Sequence, residues 1–159
     1  MARMEPVKPP PVLPCFDAAS SAPGLCQAHF RALFGYLYVN CHWYASLPKG
    51  EAVAVRFRPE HFNHIFFKAP ARGQPRTVWR PERAERILWI GYSVEHPAEI
   101  RQVGASRLTF YTRMADRRWP WFLVVTDRNG GALECVTAYP LSHKQVRQSR
   151  RAGDTILRR

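Results

Sequence analysis

Apolar residues change their period along this chain, and the changes divide it into elements. From about Gly24 to Trp43 large apolar side chains (Leu25, Phe30, Leu33, Phe34, Leu37, Val39) lie nearly all round the 3.6-residue turn, which predicts a buried helix. Ala52 to Phe57 alternates with period two and reads as a short strand. Arg58-Pro59 then leads into HFNHIFFK, where His61, His64 and Ile65, or Phe62, Ile65 and Phe66, share faces at i, i+3 and i+4, the spacing of a short helix. Pro81 at a first helical position, Glu82 and Glu85 in the opening turns, and Ala84, Ile87, Leu88, Gly91 and Val94 on one face predict a longer helix. His96-Pro97 ends it, because a proline disfavours helical backbone in the residue before it.

Beyond that point the pattern is that of strands. RLTFYTRM, WPWFLVVTD and ALECVTAY are β-like runs, and the Asn-Gly in the RNGG between the last two is a strong hairpin signal. Helices first and an antiparallel meander last predict an α+β domain, with N-terminal helices packed on a C-terminal antiparallel sheet of about four strands. KAPARGQPR, residues 68–76, carries Pro70, Gly73 and Pro75 and reads as a basic loop. Five prolines in residues 1–14 predict a loose, extended arm. The expected organisation is therefore that arm, one domain over 15–142, and a basic tail over 143–159 whose last dozen residues stay disordered until they meet an anionic partner.

Charge narrows the partner. Lys and Arg number 24 against 12 Asp and Glu, a net +12, which attracts phosphate at long range. The tail holds +5 and residues 1–14 hold +1, so +6 remains on the domain itself. RNA or another nucleic acid is the expected partner, and an acidic inhibitor of the antitoxin or immunity type is a second one. No stretch approaches the ~18 apolar residues of a membrane helix and no apolar leader opens the chain, so a cytoplasmic protein without membrane contact is expected. Cys15, Cys26, Cys41 and Cys135 form no CxxC pair and read as reduced thiols. Neither they nor Cys41-His42 with Cys26 has the spacing of a common metal site, so no metal and no cofactor are expected. The tryptophans at 79, 89, 119 and 121 could stack bases but read as core or rim residues.

Cutting RNA without a metal requires a base for the 2′-hydroxyl, a cation for the phosphorane charge and an acid for the leaving 5′-oxygen. Histidine suits either proton role, and the candidates are His61 and His64. Two histidines among Phe and Ile are also commonly structural. A second cluster lies on the meander: Tyr111 and Arg113 on one strand, Thr137 and Tyr139 on the last, each pair on one face if the strands alternate. An arginine among hydroxyl groups can cradle phosphate, since its planar fork grips two oxygens, yet Tyr and Thr are also ordinary strand formers.

The order of a short strand, HFNHIFFK, a helix ending HPAEI, a Tyr-bearing strand, WFLVVTD and a closing VTAYP resembles the phage-associated branch of the barnase, EndoU, colicin and RelE-like (BECR) nuclease superfamily over roughly Val53 to Pro140. The resemblance implies a metal-independent ribonuclease fold, a four-stranded antiparallel sheet after helices, often used as a toxin or phage effector. It implies catalytic roles for His61 or His64, Arg113, Thr137 and Tyr139. The run after His64 departs from the pattern, and Lys68 stands where a further basic residue is expected; Arg72, Arg76 and Tyr111 complete the substrate-binding candidates. The expected activity is an RNA endonuclease leaving a 2′,3′-cyclic phosphate. The rival expectation is a non-catalytic module that binds nucleic acid or an acidic partner.

Overall fold

A computed structural model describes residues 10–13 and 23–158. Helix α1 (Pro23–Phe34) buries Cys26, Phe30 and Phe34 at steps of four, so one stripe faces the core. Its period then loosens into a π-turn (Gly35–Val39), where the Asn40 amide reaches back to the Gly35 carbonyl, and this brings Tyr38 into the core. The helix thus ends earlier than the apolar run predicts. Trp43 instead opens strand β1 (Trp43–Ser46), because aromatic and β-branched crowding at Tyr38 and Val39 is poorly accommodated in helix. Strand β2 (Ala52–Arg56) returns antiparallel to β1.

Helix α2 (His61–Phe66) forms where the spacing places it, and runs straight into β3 (Phe67–Lys68), which pairs with β4 (Val78–Trp79) as a separate two-stranded ribbon. The single helix expected over 81–96 is two: α3 (Pro81–Ala84) and α4 (Ile87–Glu95). Strands β5 (Glu99–Val103), β6 (Arg107–Arg113), β7 (Trp121–Asn129) and β8 (Ala132–Leu141) then form an antiparallel meander, with Gly130 at φ 63 in the hairpin turn. Helix α5 (His143–Ser149) and strand β9 (Asp154–Arg158) close the chain.

The class is α+β, but the four-stranded sheet under N-terminal helices is not what forms. The main sheet has seven strands in the order β1-β2-β8-β7-β6-β5-β9 and curls into a half-barrel. The expected meander is only its middle. Strand β2 joins β8 in parallel, through Val55 beside Leu133 and Arg56 beside Glu134, and β9 adds to the far edge on β5. Both additions pair residues far apart in sequence, which local periodicity cannot register.

Central strand β7 is covered on both sides and reads as a continuous apolar run for that reason. Phe122 and Val124 join Phe30, Phe34, Phe62, Phe66, Ile90 and their neighbours in the main core, while Trp121, Leu123 and Val125 face a smaller core with Tyr111 and Val146 of α5. Helices therefore occupy both faces of the sheet. The main core is joined at one tight contact. Trp43 lies so close over Gly91 of α4 that a Cβ there would come 2.2 Å from the ring, and the Tyr38 hydroxyl donates to the Ile87 carbonyl while accepting from the Gly91 amide at 3.0 Å.

Three further expectations fail for physical reasons. Pro10–Leu13, read as part of a loose arm, is docked: the Pro10 carbonyl accepts from the Trp89 indole at 2.8 Å and the Leu13 amide donates to Glu85 at 2.7 Å. The tail is ordered from residue 143 to 158. A capping box at Ser142 and Gln145 starts α5, and Glu99, 2% exposed, holds Arg150 at 2.6 Å, Arg101 at 3.0 Å and Arg158 at 3.6 Å and accepts from the Thr155 hydroxyl. Cys26 is disulfide-bonded, so the reading of all four cysteines as reduced does not hold, whereas Cys41 and Cys135 carry free thiols. Among the described residues no helix is long and apolar enough to cross a membrane.

Two outcomes follow from these contacts. Gly91→Ala pushes a methyl into the Trp43 ring, and overpacking of this kind costs ~1 to 3 kcal/mol; thermal denaturation will register it as a loss of about 2 to 4 °C per kcal/mol. Burial raises the Glu99 carboxyl, but the Arg101 hydrogen bond and the Arg150 and Arg158 charges outweigh it and hold the group below its ordinary value. A carboxyl depressed in the folded state stabilises above its unfolded value of about 4.3 and loses that contribution as pH falls through the folded one. Glu99→Gln is expected to cost ~1.5 to 3 kcal/mol at neutral pH, the scale of hydrogen bonds to a charged group, and to flatten the acid limb of a stability-against-pH curve. An unchanged acid limb in that variant would show that Glu99 is not the group responsible.

Candidate active site

The end of α2 is where the candidate residues meet. A helix leaves its last carbonyls without partners inside the helix, and α2 is only six residues long. Its carbonyls are satisfied from three directions. The Thr137 hydroxyl of β8 donates to the His64 carbonyl at 3.2 Å. The Arg76 guanidinium donates to the same carbonyl at 3.1 Å and to Phe67 at 3.3 Å. Arg83 of α3 donates to the Ile65 carbonyl at 3.2 Å, and the Arg80 amide to Phe66 at 2.8 Å. The register explains why β8 can serve: β2 pairs with it only at Leu133 and Glu134, so the edge beyond is open to α2.

Each guanidinium is tied here through one nitrogen, and a guanidinium carries five donors. The rest of each fork is left for a ligand. Arg83 also lies with its guanidinium carbon 4.8 Å from the centre of the Tyr139 ring, a cation–π contact. Arg80 is neutralised by Glu82 at 2.5 Å, whereas neither Arg76 nor Arg83 has an acidic partner among the described residues. Two cations outside any ion pair, with the Glu82 charge acting on Arg83 from farther off, stand beside a phenol and a hydroxyl and suit an anion. Burial pushes the Tyr139 phenol up, and the nearby Arg83 and Arg76 charges pull it only partly back, so it keeps its proton at neutral pH. Burial lowers the Arg83 value, with the Arg80 charge adding to this; arginine nevertheless remains charged at neutral pH.

The two histidines are differentiated by their surroundings. His61 is half-buried at the start of α2, and its Nδ1 accepts from the Arg58 amide at 2.9 Å, which leaves Nδ1 unprotonated. Burial lowers its pKa most, with the Glu60 and Glu134 charges opposing and the Arg58 and His64 charges assisting. His64 is exposed one turn on, and its ring makes no hydrogen bond among the described residues.

Of the other sequence candidates, Tyr111 shares a sheet face with Tyr139, with Leu123 between them in register. It is buried beneath α5 and its hydroxyl pairs with Ser149 at 2.7 Å. Arg113 is exposed at the end of β6 with its guanidinium 5.4 Å from the centre of the Trp121 ring. By strand spacing its backbone lies about 12 Å from Tyr139 and about 17 Å from Thr137, so it is not part of the cluster. Lys68 and Arg72 are exposed on the ribbon and its loop, without hydrogen-bonded or ionic partners among the described residues. Arg76, Thr137 and Tyr139 are thus brought together around the end of α2, where His64 takes part through its backbone carbonyl; Arg113, Tyr111, Lys68 and Arg72 are not. Arg83 was missed, because nothing near Pro81 in sequence marks an arginine whose ring partner is Tyr139 on the last strand of the meander.

No protein-family model, no curated protein and no solved structure matches the chain. Among the described residues, no three His, Cys, Asp or Glu side chains converge as metal ligands.

The contrast between the histidines is measurable. His61 is lowered in the folded state, so its share of stability is present above the unfolded value of about 6.5 and is lost as pH falls below it. His61→Ala is expected to cost ~1 kcal/mol or more at pH 7.5, by leaving the Arg58 amide without its acceptor, and to remove the pH dependence of stability near pH 6. His64→Ala is expected to leave the thermal midpoint within about 1 °C, as for an exposed side chain. A midpoint that drops equally in both variants would assign His64 a structural role.

Proposed function

We propose that this chain is a metal-independent endoribonuclease whose site is the junction of α2, α3 and β8. The observation that carries the reading is the pair Arg76 and Arg83, each anchored through one nitrogen to a terminal carbonyl of α2, without acidic partners, beside Tyr139 and the exposed His64. A net charge of +12 supports an anionic polymer as substrate.

In this reading His64 takes the proton of the 2′-hydroxyl, and the resulting oxygen attacks the adjacent phosphorus. The free donors of Arg76 and Arg83 hold the equatorial phosphate oxygens as charge builds there. The bond from phosphorus to the 5′-oxygen breaks, and the Tyr139 phenol, kept protonated by burial, gives its proton to that leaving oxygen. The products are a 2′,3′-cyclic phosphate and a 5′-hydroxyl. Thr137 positions His64 through its carbonyl and takes no proton. The resemblance to the BECR nucleases supports the same chemistry with His64, Thr137 and Tyr139, but Arg83 takes the part expected of Arg113. A toxin or phage-effector role, and an acidic inhibitor that covers these cations, belong to the same proposal.

The test is incubation with bulk RNA in EDTA, with end-group analysis of the fragments. Cyclic-phosphate ends are expected. His64→Ala, Arg83→Ala and Tyr139→Phe should each lower the rate by about 100-fold or more, the scale of one acid–base or charge-stabilising group. RNA bound but left intact by the parent protein would instead identify a binding module.

A further inference from the structure

A second site lies beside the first, at the β1–β2 edge of the sheet. Between the close of the π-turn and the first two strands is a cleft of about 450 Å³, within the range of small-ligand sites. Residues 38–44 and 54–58 line it, and the exposed ones, Tyr44, His42, Arg56 and Arg58 among them, form its rim.

The strand register accounts for the rim. Val53, Val55 and Ala45 point into the core, so Tyr44 and Arg56 face the opposite way, with the small Ala54 directly across from Tyr44. Tyr44 thus has only a methyl group directly across from it on that face. It is 55% exposed, on a strand at the sheet edge, and Tyr36 close by on the π-turn is 72% exposed. Large exposed aromatics are uncommon in this molecule, where most such rings are in the core. The Arg58 side chain is held by Glu134 at 2.5 Å, whereas the Arg56 side chain, beside Glu134 in the strand register, has no ion pair or hydrogen bond among the described residues. A flat exposed ring beside an unpaired guanidinium matches an unstacked base followed by its phosphate.

We propose that this cleft binds one nucleotide of a single-stranded RNA, the base stacked on Tyr44 and the phosphate held by Arg56. The partner class is shared with the ribonuclease reading; the site is not. Arg56 and Thr137 are joined through β8, Arg56 pairing with Glu134 three residues before Thr137. By strand spacing their backbones are about 11 Å apart, so one strand of RNA can occupy this cleft and the α2–β8 junction together. The cleft then fixes which part of the strand enters the junction. A duplex cannot use it, because its bases are already stacked.

The experiment uses the full chain and a short, fluorescently labelled 2′-O-methyl oligopyrimidine, which lacks the attacking hydroxyl and cannot be cut by this route. Anisotropy titrations compare the parent with Tyr44→Ala, Tyr44→Phe and Arg56→Gln, all at exposed positions. Tyr44→Ala is expected to weaken binding by about fivefold to a hundredfold, the effect of losing one stacked base, while Tyr44→Phe binds like the parent. Arg56→Gln should reduce the slope of log affinity against log salt by about 0.7, the value for one phosphate contact on a single strand. If RNA is left uncut but the Tyr44 effect persists, the ribonuclease reading fails and this site stands. Parent-like binding by Tyr44→Ala, an equal loss of duplex RNA or of an oligoglutamate peptide, or no binding of the oligonucleotide by the parent overturns the site.

Discussion

The contact of Trp43 with Gly91 holds the two halves of the chain together. Only a residue without a Cβ lets the indole lie on α4 at that distance, and the Tyr38 hydroxyl bridges the Ile87 carbonyl and the Gly91 amide beside it. Because Trp43 opens β1, this contact sets where the β1–β2 pair can lie. That in turn decides where β2 meets β8, and so how much of the β8 edge stays free for α2. A local steric allowance at one glycine thus bears on both proposed sites, at β1–β2 and at the β8 edge.

The groups that stabilise the junction at α2 are those to which the proposal gives chemistry. A six-residue helix cannot satisfy its terminal carbonyls internally, and the side chains that do so are Thr137, Arg76 and Arg83. Anchoring an arginine through one nitrogen removes much of its rotamer freedom before a ligand arrives, which lowers the entropic cost of binding phosphate. Tyr139 contributes a ring for Arg83 and a phenol that burial keeps protonated.

Charge is divided between tasks. Two of the six basic residues in the last seventeen, Arg150 and Arg158, gather on the buried carboxylate of Glu99 together with Arg101. These arginines secure α5 and β9 to the sheet. Cations left without acidic partners, such as Arg76, Arg83 and Arg56, are instead on β2, the ribbon loop and α3, where the two proposed sites lie.

Periodicity along the chain was sufficient for α2, β2 and the β6–β7–β8 meander, because each depends on interactions within about a dozen residues: a helical stripe, an alternating strand, an Asn-Gly turn. His64, Thr137 and Tyr139 were legible as candidates for the same reason, being reactive types at positions whose local structure could be read. What only tertiary structure decided is everything that depends on distant pairing. The seven-stranded order needs β2 beside β8 and β9 beside β5. The order in the tail needs Glu99, some fifty residues before Arg150, and the replacement of Arg113 by Arg83 at the phenol needs α3 folded against β8. Side-chain period carries no term for such contacts, since they are selected by burial and charge compensation once the chain has closed on itself.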